Sequence, residues 1–173
     1  IQKTITLTSR AMFDDLTSIE NPWVSYSNEY YVTNDNIINT IIDGSSNSNG
    51  NNNLQSTILI NSPEDSCIEP VIYGFSITGG SGTATETEDE DGETIIRWRG
   101  GGFLSLNAQP EFHYNYFYDN GNDVYAGGGG EESNGDQIRM RESGSRYNWG
   151  NPRCSEGELN LSHNFYRNNS ALF

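Results

Sequence analysis

The chain has 173 residues, 33% of them hydrophobic, with 9 basic against 24 acidic side chains and a net charge of −15. That length is one domain's worth, and an apolar share below the roughly 45–50% of an ordinary globular domain excludes a thick core. Aromatics at 12%, set among β-branched runs, exclude disorder for most of the chain, and a surface with Lys3 as its single lysine excludes a general nucleic-acid binder.

Ile1–Thr8 reads as a strand from its first residue. No leader and no membrane segment is visible, so the chain reads as a mature protein or an excised fragment. Residues 10–36 form a long excursion rich in Asn, Ser, Tyr and Asp, with Pro22 and Trp23 in its middle and a short helix expected around Ala11–Ile19. Asn39–Gly44 returns to strand, completing a first coil. Ser45–Asn53, almost wholly Ser, Asn and Gly, is a polar loop that builds no core of its own. Ser56–Asn61 and Val71–Thr78 make a second coil, Gly100–Leu106 and Phe112–Tyr118 a third, and Val124–Gly130 with Leu159–Arg167 a fourth.

The organising feature is a repeated phrase. It runs PVIYGFSITGG over Pro70–Gly80, PEFHYNYFYDNG over Pro110–Gly121, and LNLSHNFYRNNS over Leu159–Ser170. Repeats of this length signal stacked units, each too thin to bury a core alone. The expected fold is all-β: a right-handed parallel β-helix, a solenoid of about four coils with long inserted loops, as a single domain over 1–173. Aligned, the phrases set Ile72, Phe112 and Leu161 in one inward column. Phe75, Asn115 and Asn164 fall in a second, where the two amides predict a ladder at a coil corner with left-handed backbone at the Asn. The glycine runs Gly100–Gly102 and Gly127–Gly130 predict tight bends or close approach to a neighbouring coil. No Lys-Ser/Thr follows either run, which argues against a phosphate loop.

Cys67 and Cys154, in connecting segments, are read either as one staple between distant coils, which an oxidising compartment permits, or as two thiols. Their spacing is not that of a metal site.

Three constellations carry candidate chemistry. Glu86–Glu93 is dense in carboxylates; Asp89, Asp91 and Glu93 alternate in a way that partly matches a calcium loop, though a solvated, self-repelling insertion is the simpler reading. Seven of the eight arginines lie between Arg97 and Arg167. Stacked coils would gather Arg97, Arg99, Arg139 and Arg141 beside Trp98 and Trp149 as a site for acidic polysaccharide. In the rival reading Arg97 and Arg99 neutralise the acidic loop. In the aromatic run Phe112–Tyr118, alternation sends Tyr116 and Tyr118 outward, where they are candidates for a carbohydrate face. His113 and His163 read as outward or corner residues rather than catalytic bases. Asn160 and Asn168 each open a glycosylation triplet.

The run Ile5–Ser9, Ile37–Gly44, Val71–Gly80 and Gly100–Phe103 resembles the secreted bacterial pectate-lyase-like parallel β-helix repeat proteins, where strand, Ile-Asp-Gly, Gly-Phe-x-Ile-Thr-Gly-Gly and Gly-Gly-Gly recur. The chain departs from that pattern in its longer, more charged loops and in holding Phe75 in the Asn column. The resemblance implies the fold and an extracellular or cell-surface location. For activity it spans polysaccharide lyases, glycoside hydrolases and surface proteins without a reaction. A lyase would need a cation, here calcium, and a base, with the four arginines in supporting roles. The leading expectation is a structural or adhesive module that self-associates end to end or joins neighbouring coils. A polysaccharide-active enzyme and a carbohydrate-binding spike are the alternatives, with no nucleic-acid partner and no membrane span.

Overall fold

Short β-branched and aromatic runs cut by Gly, Asn and Asp turns give strands of three to six residues. A computed structural model describes residues 1–17, 22–26, 29–45, 55–63, 66–88, 91–121, 130–134, 137–140, 145–149 and 160–171, with the backbone alone over 24–30, 87–88 and 131–149. In chain order the strands are β1 (Thr6–Thr8), β2 (Trp23–Tyr26), β3 (Glu29–Val32), β4 (Ile41–Asp43), β5 (Ile58–Asn61), β6 (Val71–Tyr73), β7 (Ser76–Thr78), β8 (Thr83–Glu88), β9 (Thr94–Arg99), β10 (Phe103–Leu106), β11 (Glu111–His113), β12 (Tyr116–Tyr118), β13 (Gly130–Asn134), β14 (Gln137–Met140), β15 (Ser145–Trp149), β16 (Asn160–Ser162) and β17 (Phe165–Arg167). One short helix, α1, spans Asp35–Ile38, and a 3-10 turn spans Arg10–Phe13.

The fold is mostly β and built on parallel sheets. The first has the order β1-β6-β11-β16, the second β4-β7-β12-β17, and the third β5-β10-β13-β15 with β14 added antiparallel at its edge. The chain takes these sheets in one repeating order: β1, β4, β5, then β6, β7, β10, then β11, β12, β13. Two antiparallel hairpins, β2–β3 and β8–β9, stand outside that cycle.

Register makes the core columnar. Leu7, Ile72, Phe112 and Leu161 are successive partners in the first sheet, as the repeat alignment predicts for the last three. Ile42, Ile77, Phe117 and Tyr166 are successive partners in the second. Ile72, Ile77, Phe112, Phe117 and Phe103 are all 0% exposed. The Phe103 ring stacks on Phe112 with centroids 4.3 Å apart, and Phe117 stacks on Tyr166 at 5.0 Å. The second contact follows from the spacing of about 4.8 Å between paired parallel strands, here β12 and β17, whereas the first crosses the core from the third sheet to the first.

The amide ladder is present, and it is double. Asn115, fully buried, accepts from Phe75 N at 3.0 Å and donates to Ile72 O at 2.9 Å and Asn164 Oδ1 at 3.1 Å. Asn164 donates onward to Phe112 O at 2.7 Å. Five residues along, Asn120 accepts from Gly80 N and donates to Ile77 O and Asn169 Oδ1, and Asn169 donates to Phe117 O. One expectation needs correction. The left-handed backbone falls not on the ladder Asn but on the residue before it: Gly74 (φ 78°), Tyr114 (55°) and His163 (52°) in one column, Gly79 (75°), Asp119 (50°) and Asn168 (53°) in the next. The corner residue turns the chain, and the side chain of the following Asn reaches across to tie the rows. Gly80 and Gly101 meet as the glycine-run argument expects, since a Cβ on Gly80 would lie 1.8 Å from Gly101 O.

The excursion over 10–36 also differs from expectation. The helix around Ala11–Ile19 is only the 3-10 turn Arg10–Phe13, and 18–21 lie outside the described residues. Ala11, Leu16 and Ile37 pack against Val32, Tyr73, Tyr114 and Tyr116, so the excursion folds onto outward aromatics as a second core. Asp14 accepts from Asn34 Nδ2 (2.8 Å) and Asn36 Nδ2 (2.9 Å), while Asn34 Oδ1 caps α1 at Ile37 N. Cys67 is in a disulfide; Cys154, the chain's other cysteine, lies outside the described residues, as do most of the polar loop Ser45–Asn53 and the segment 122–129 that leads into β13. Among the described residues no helix is long and apolar enough to cross a membrane.

Candidate functional site

The acidic stretch and two of the arginines share the β8–β9 hairpin. Glu86 lies on one arm, Asp91 and Glu93 at the tip, and Arg97 and Arg99 on the returning arm. Directly opposed residues share a face, so Thr83, Thr85, Arg97 and Arg99 lie on one side and Ala84, Glu86, Ile96 and Trp98 on the other. Alternation therefore parts the arginines from Trp98, and equally from Glu86. Arg97 sits four residues from Glu93, roughly 13 Å along an extended strand. Arg99 is only 6% exposed, and its carbonyl accepts from Ser56 Oγ at 3.3 Å. Asp89 and Arg141 lie outside the described residues. Arg139 falls on β14 opposite Tyr147, and Trp149 on β15 opposite Gln137. Among the described residues no group of three or more His, Cys, Asp or Glu side chains is arranged to hold a metal.

The outward tyrosines form a belt. Tyr116 and Tyr118 stack on each other with centroids 4.6 Å apart, on the face opposite Phe117. Phe165 tilts against Tyr116 at 5.5 Å, and Trp23 stacks on Phe165 at 5.9 Å. Tyr114 stacks on His163 at 4.8 Å and tilts against Tyr73 at 5.3 Å. Burial raises the Tyr116 phenol above its ordinary value, partly opposed by the hydrogen-bonded Arg167 guanidinium. Arg167 also lies 5.7 Å over the Tyr31 ring. The belt's ring faces are thus largely turned on one another and on the excursion.

A shallow cavity of about 600 Å³ lies against the excursion, lined by Phe13, Asp14, Asp15, Thr33, Asn34, Asp35 and Asn36. The amides of Asn36 and Asn34 hold the Asp14 carboxyl below its ordinary value, and Thr17 does the same for Asp15.

One polar set was not singled out by sequence reasoning. On the outer face of the first sheet, His113 Nε2 lies 2.8 Å from Glu111 Oε2, and His113 Nδ1 lies 2.5 Å from Ser162 Oγ. Period-two alternation puts Glu111 and His113 outward on either side of the inward Phe112, and the β11–β16 register sets Ser162 beside His113. The signal was in the repeat alignment, which matches His113 with Ser162 at an offset of 49 residues. Comparison with family models, with curated proteins and with solved structures finds no match to this chain.

Proposed function

We propose that the three parallel-stranded sheets are the walls of a right-handed parallel β-helix of about four coils. In this reading the protein is a secreted or cell-surface structural or adhesive module, akin to the pectate-lyase-like repeat proteins, that joins coils of matching pitch at its strand edges. The observation that carries it is the state of those edges. Among the described residues β1 and β4 pair on one side only, as do β16 and β17 at the far end. Burial along the inward column falls accordingly, from 0% exposure at Ile72 and Phe112 to 36% at Leu7. An open edge of N–H and C=O groups beside exposed apolar residues is a template for another strand. The β5 edge is the exception, since Ile1 accepts from Asn61 N at 3.0 Å and donates to Leu59 O at 2.6 Å.

A net charge of −15 favours this direction of growth. Acidic flanks repel one another, and the apolar ends are left as the attractive surfaces. The Cys67 disulfide supports an oxidising compartment. The partner is a second copy or neighbouring coils. Calcium-assisted lyase chemistry is supported less well, because β9 sets Arg97 and Arg99 on the face opposite Trp98. Sedimentation velocity across a concentration series tests the reading. Elongated oligomers in the parent, lost on Leu7→Lys, support it; a monomer at every concentration refutes it.

A further inference from the structure

We propose that Ser162, His113 and Glu111 form a nucleophile, a base and a positioning carboxylate that hydrolyse short-chain acyl esters on the outer face of the first sheet. This goes beyond the module reading and does not depend on it. The three side chains lie in one hydrogen-bonded line, Ser162 Oγ to His113 Nδ1 at 2.5 Å and His113 Nε2 to Glu111 Oε2 at 2.8 Å. That is the mutual geometry an activated serine requires: nucleophile against base, base against orienter. The roles of the two ring nitrogens follow from the partners. A carboxylate accepts only, so Nε2 carries the proton it donates to Glu111. Nδ1 is then the basic nitrogen, and it faces Ser162. The His113 side chain is 19% exposed and that of Glu111 43%, so the set is reachable from solvent yet held by the sheet.

The chemistry balances without a cofactor. Ser162 Oγ attacks the ester carbonyl carbon while its proton passes to His113 Nδ1, and the carbonyl π pair moves to oxygen. Collapse of the tetrahedral adduct breaks the bond to the alkoxy oxygen, which takes the proton from Nδ1. Water then attacks the acyl-serine with His113 again as base, releasing the acid and restoring Ser162. A backbone donor for the oxyanion is the N–H of His163, the next residue. Its counterparts Gly74 and Tyr114 donate to the following row, at His113 O (3.0 Å) and Ser162 O (3.2 Å), so the His163 N–H points past β16, where no further strand pairs among the described residues. Sheet neighbours on this face are Val71, Tyr73 and Asn160, a flat floor that suits a short acyl group better than a long one.

The test uses the intact chain, a fluorophosphonate probe with peptide mapping, and p-nitrophenyl acetate as substrate. One label per chain on Ser162 is expected, with hydrolysis falling at least about 100-fold in Ser162→Ala and His113→Ala. Glu111→Gln should lower kcat with KM little changed, and Glu111→Asp should restore part of it; a purely structural Glu111 would leave kcat in place. Absence of label on Ser162, or parental hydrolysis by a Ser162→Ala protein with unchanged far-ultraviolet circular dichroism, overturns the proposal.

Discussion

Asn115→Ala should be among the most damaging single changes in this chain, and the ladder gives its size. The side chain is 0% exposed and serves the Phe75 N–H, the Ile72 carbonyl and the Asn164 amide at once. Truncation strips that partner from two buried backbone groups, each costing about 1–3 kcal/mol when left unsatisfied. Asn164 loses less, because its oxygen still accepts from Asn115 N at 2.9 Å. With partial overlap between the two losses, a total of about 3–5 kcal/mol is expected. Asn164→Ala removes an equivalent set from a half-buried position at the end row, where water replaces part of it, and should cost about 1–2 kcal/mol. Urea unfolding followed by circular dichroism reads the difference. At a slope of about 2 kcal/mol per molar, Asn115→Ala should lower the midpoint by about 1.5–2.5 M. Asn120 stands at the other end of β12, roughly 17 Å along the chain, so its truncation should add to that of Asn115 within about 0.5 kcal/mol, whereas Asn115 and Asn164 should couple. An Asn115→Ala protein within about 0.5 kcal/mol of the parent, or equal costs at Asn115 and Asn164, would refute the reasoning.

Gly80→Ala should prevent folding or cost more than about 3 kcal/mol in the same assay, because its Cβ would lie 1.8 Å from a backbone carbonyl that cannot step aside. Asp119→Gly, at φ 50° on an exposed corner whose counterpart is Gly79, should be neutral or stabilising by up to about 1 kcal/mol. Reducing the Cys67 disulfide should lower stability by about 2–4 kcal/mol, read as a fall in thermal midpoint with dithiothreitol. The Asp14 carboxyl is depressed chiefly by Asn36 and Asn34. Its stabilisation is therefore present above the unfolded value of about 3.9 and fades as pH falls through the folded value. Asp14→Asn should thus flatten the acid limb of the stability profile, with parent and variant converging at the lowest pH.

The columns were legible because the phrase repeats at offsets of 40 and 49 residues, which the register reproduces at Phe75–Asn115 and Asn115–Asn164. The second ladder stood in the same alignment, at Asn120 and Asn169, but Gly80 holds its place in the preceding row and hid the pattern. The left-handed corners were not legible. Tyr114 has no intrinsic taste for φ near 55° and His163 only a modest one, and both rings stack on each other at that corner. The β2–β3 hairpin falls in the excursion over 10–36, although Trp23–Tyr26 and Glu29–Val32 are rich in aromatics and valine. Its packing through Trp23 on Tyr114 and Phe165 joins residues too far apart for local periodicity to reveal. The Ser162–His113–Glu111 line is likewise a product of register, since nothing in either local sequence marks a nucleophile.

Electron microscopy of the purified protein, imaged beside a Leu7→Lys variant, tests the central claim most directly. Stacking at the β1 and β4 edges predicts rods of uniform width and variable length in the parent, and isolated short particles in the variant, where a buried charge would face the joining coil. Isolated particles in both, at concentrations where sedimentation would detect association, would contradict the account.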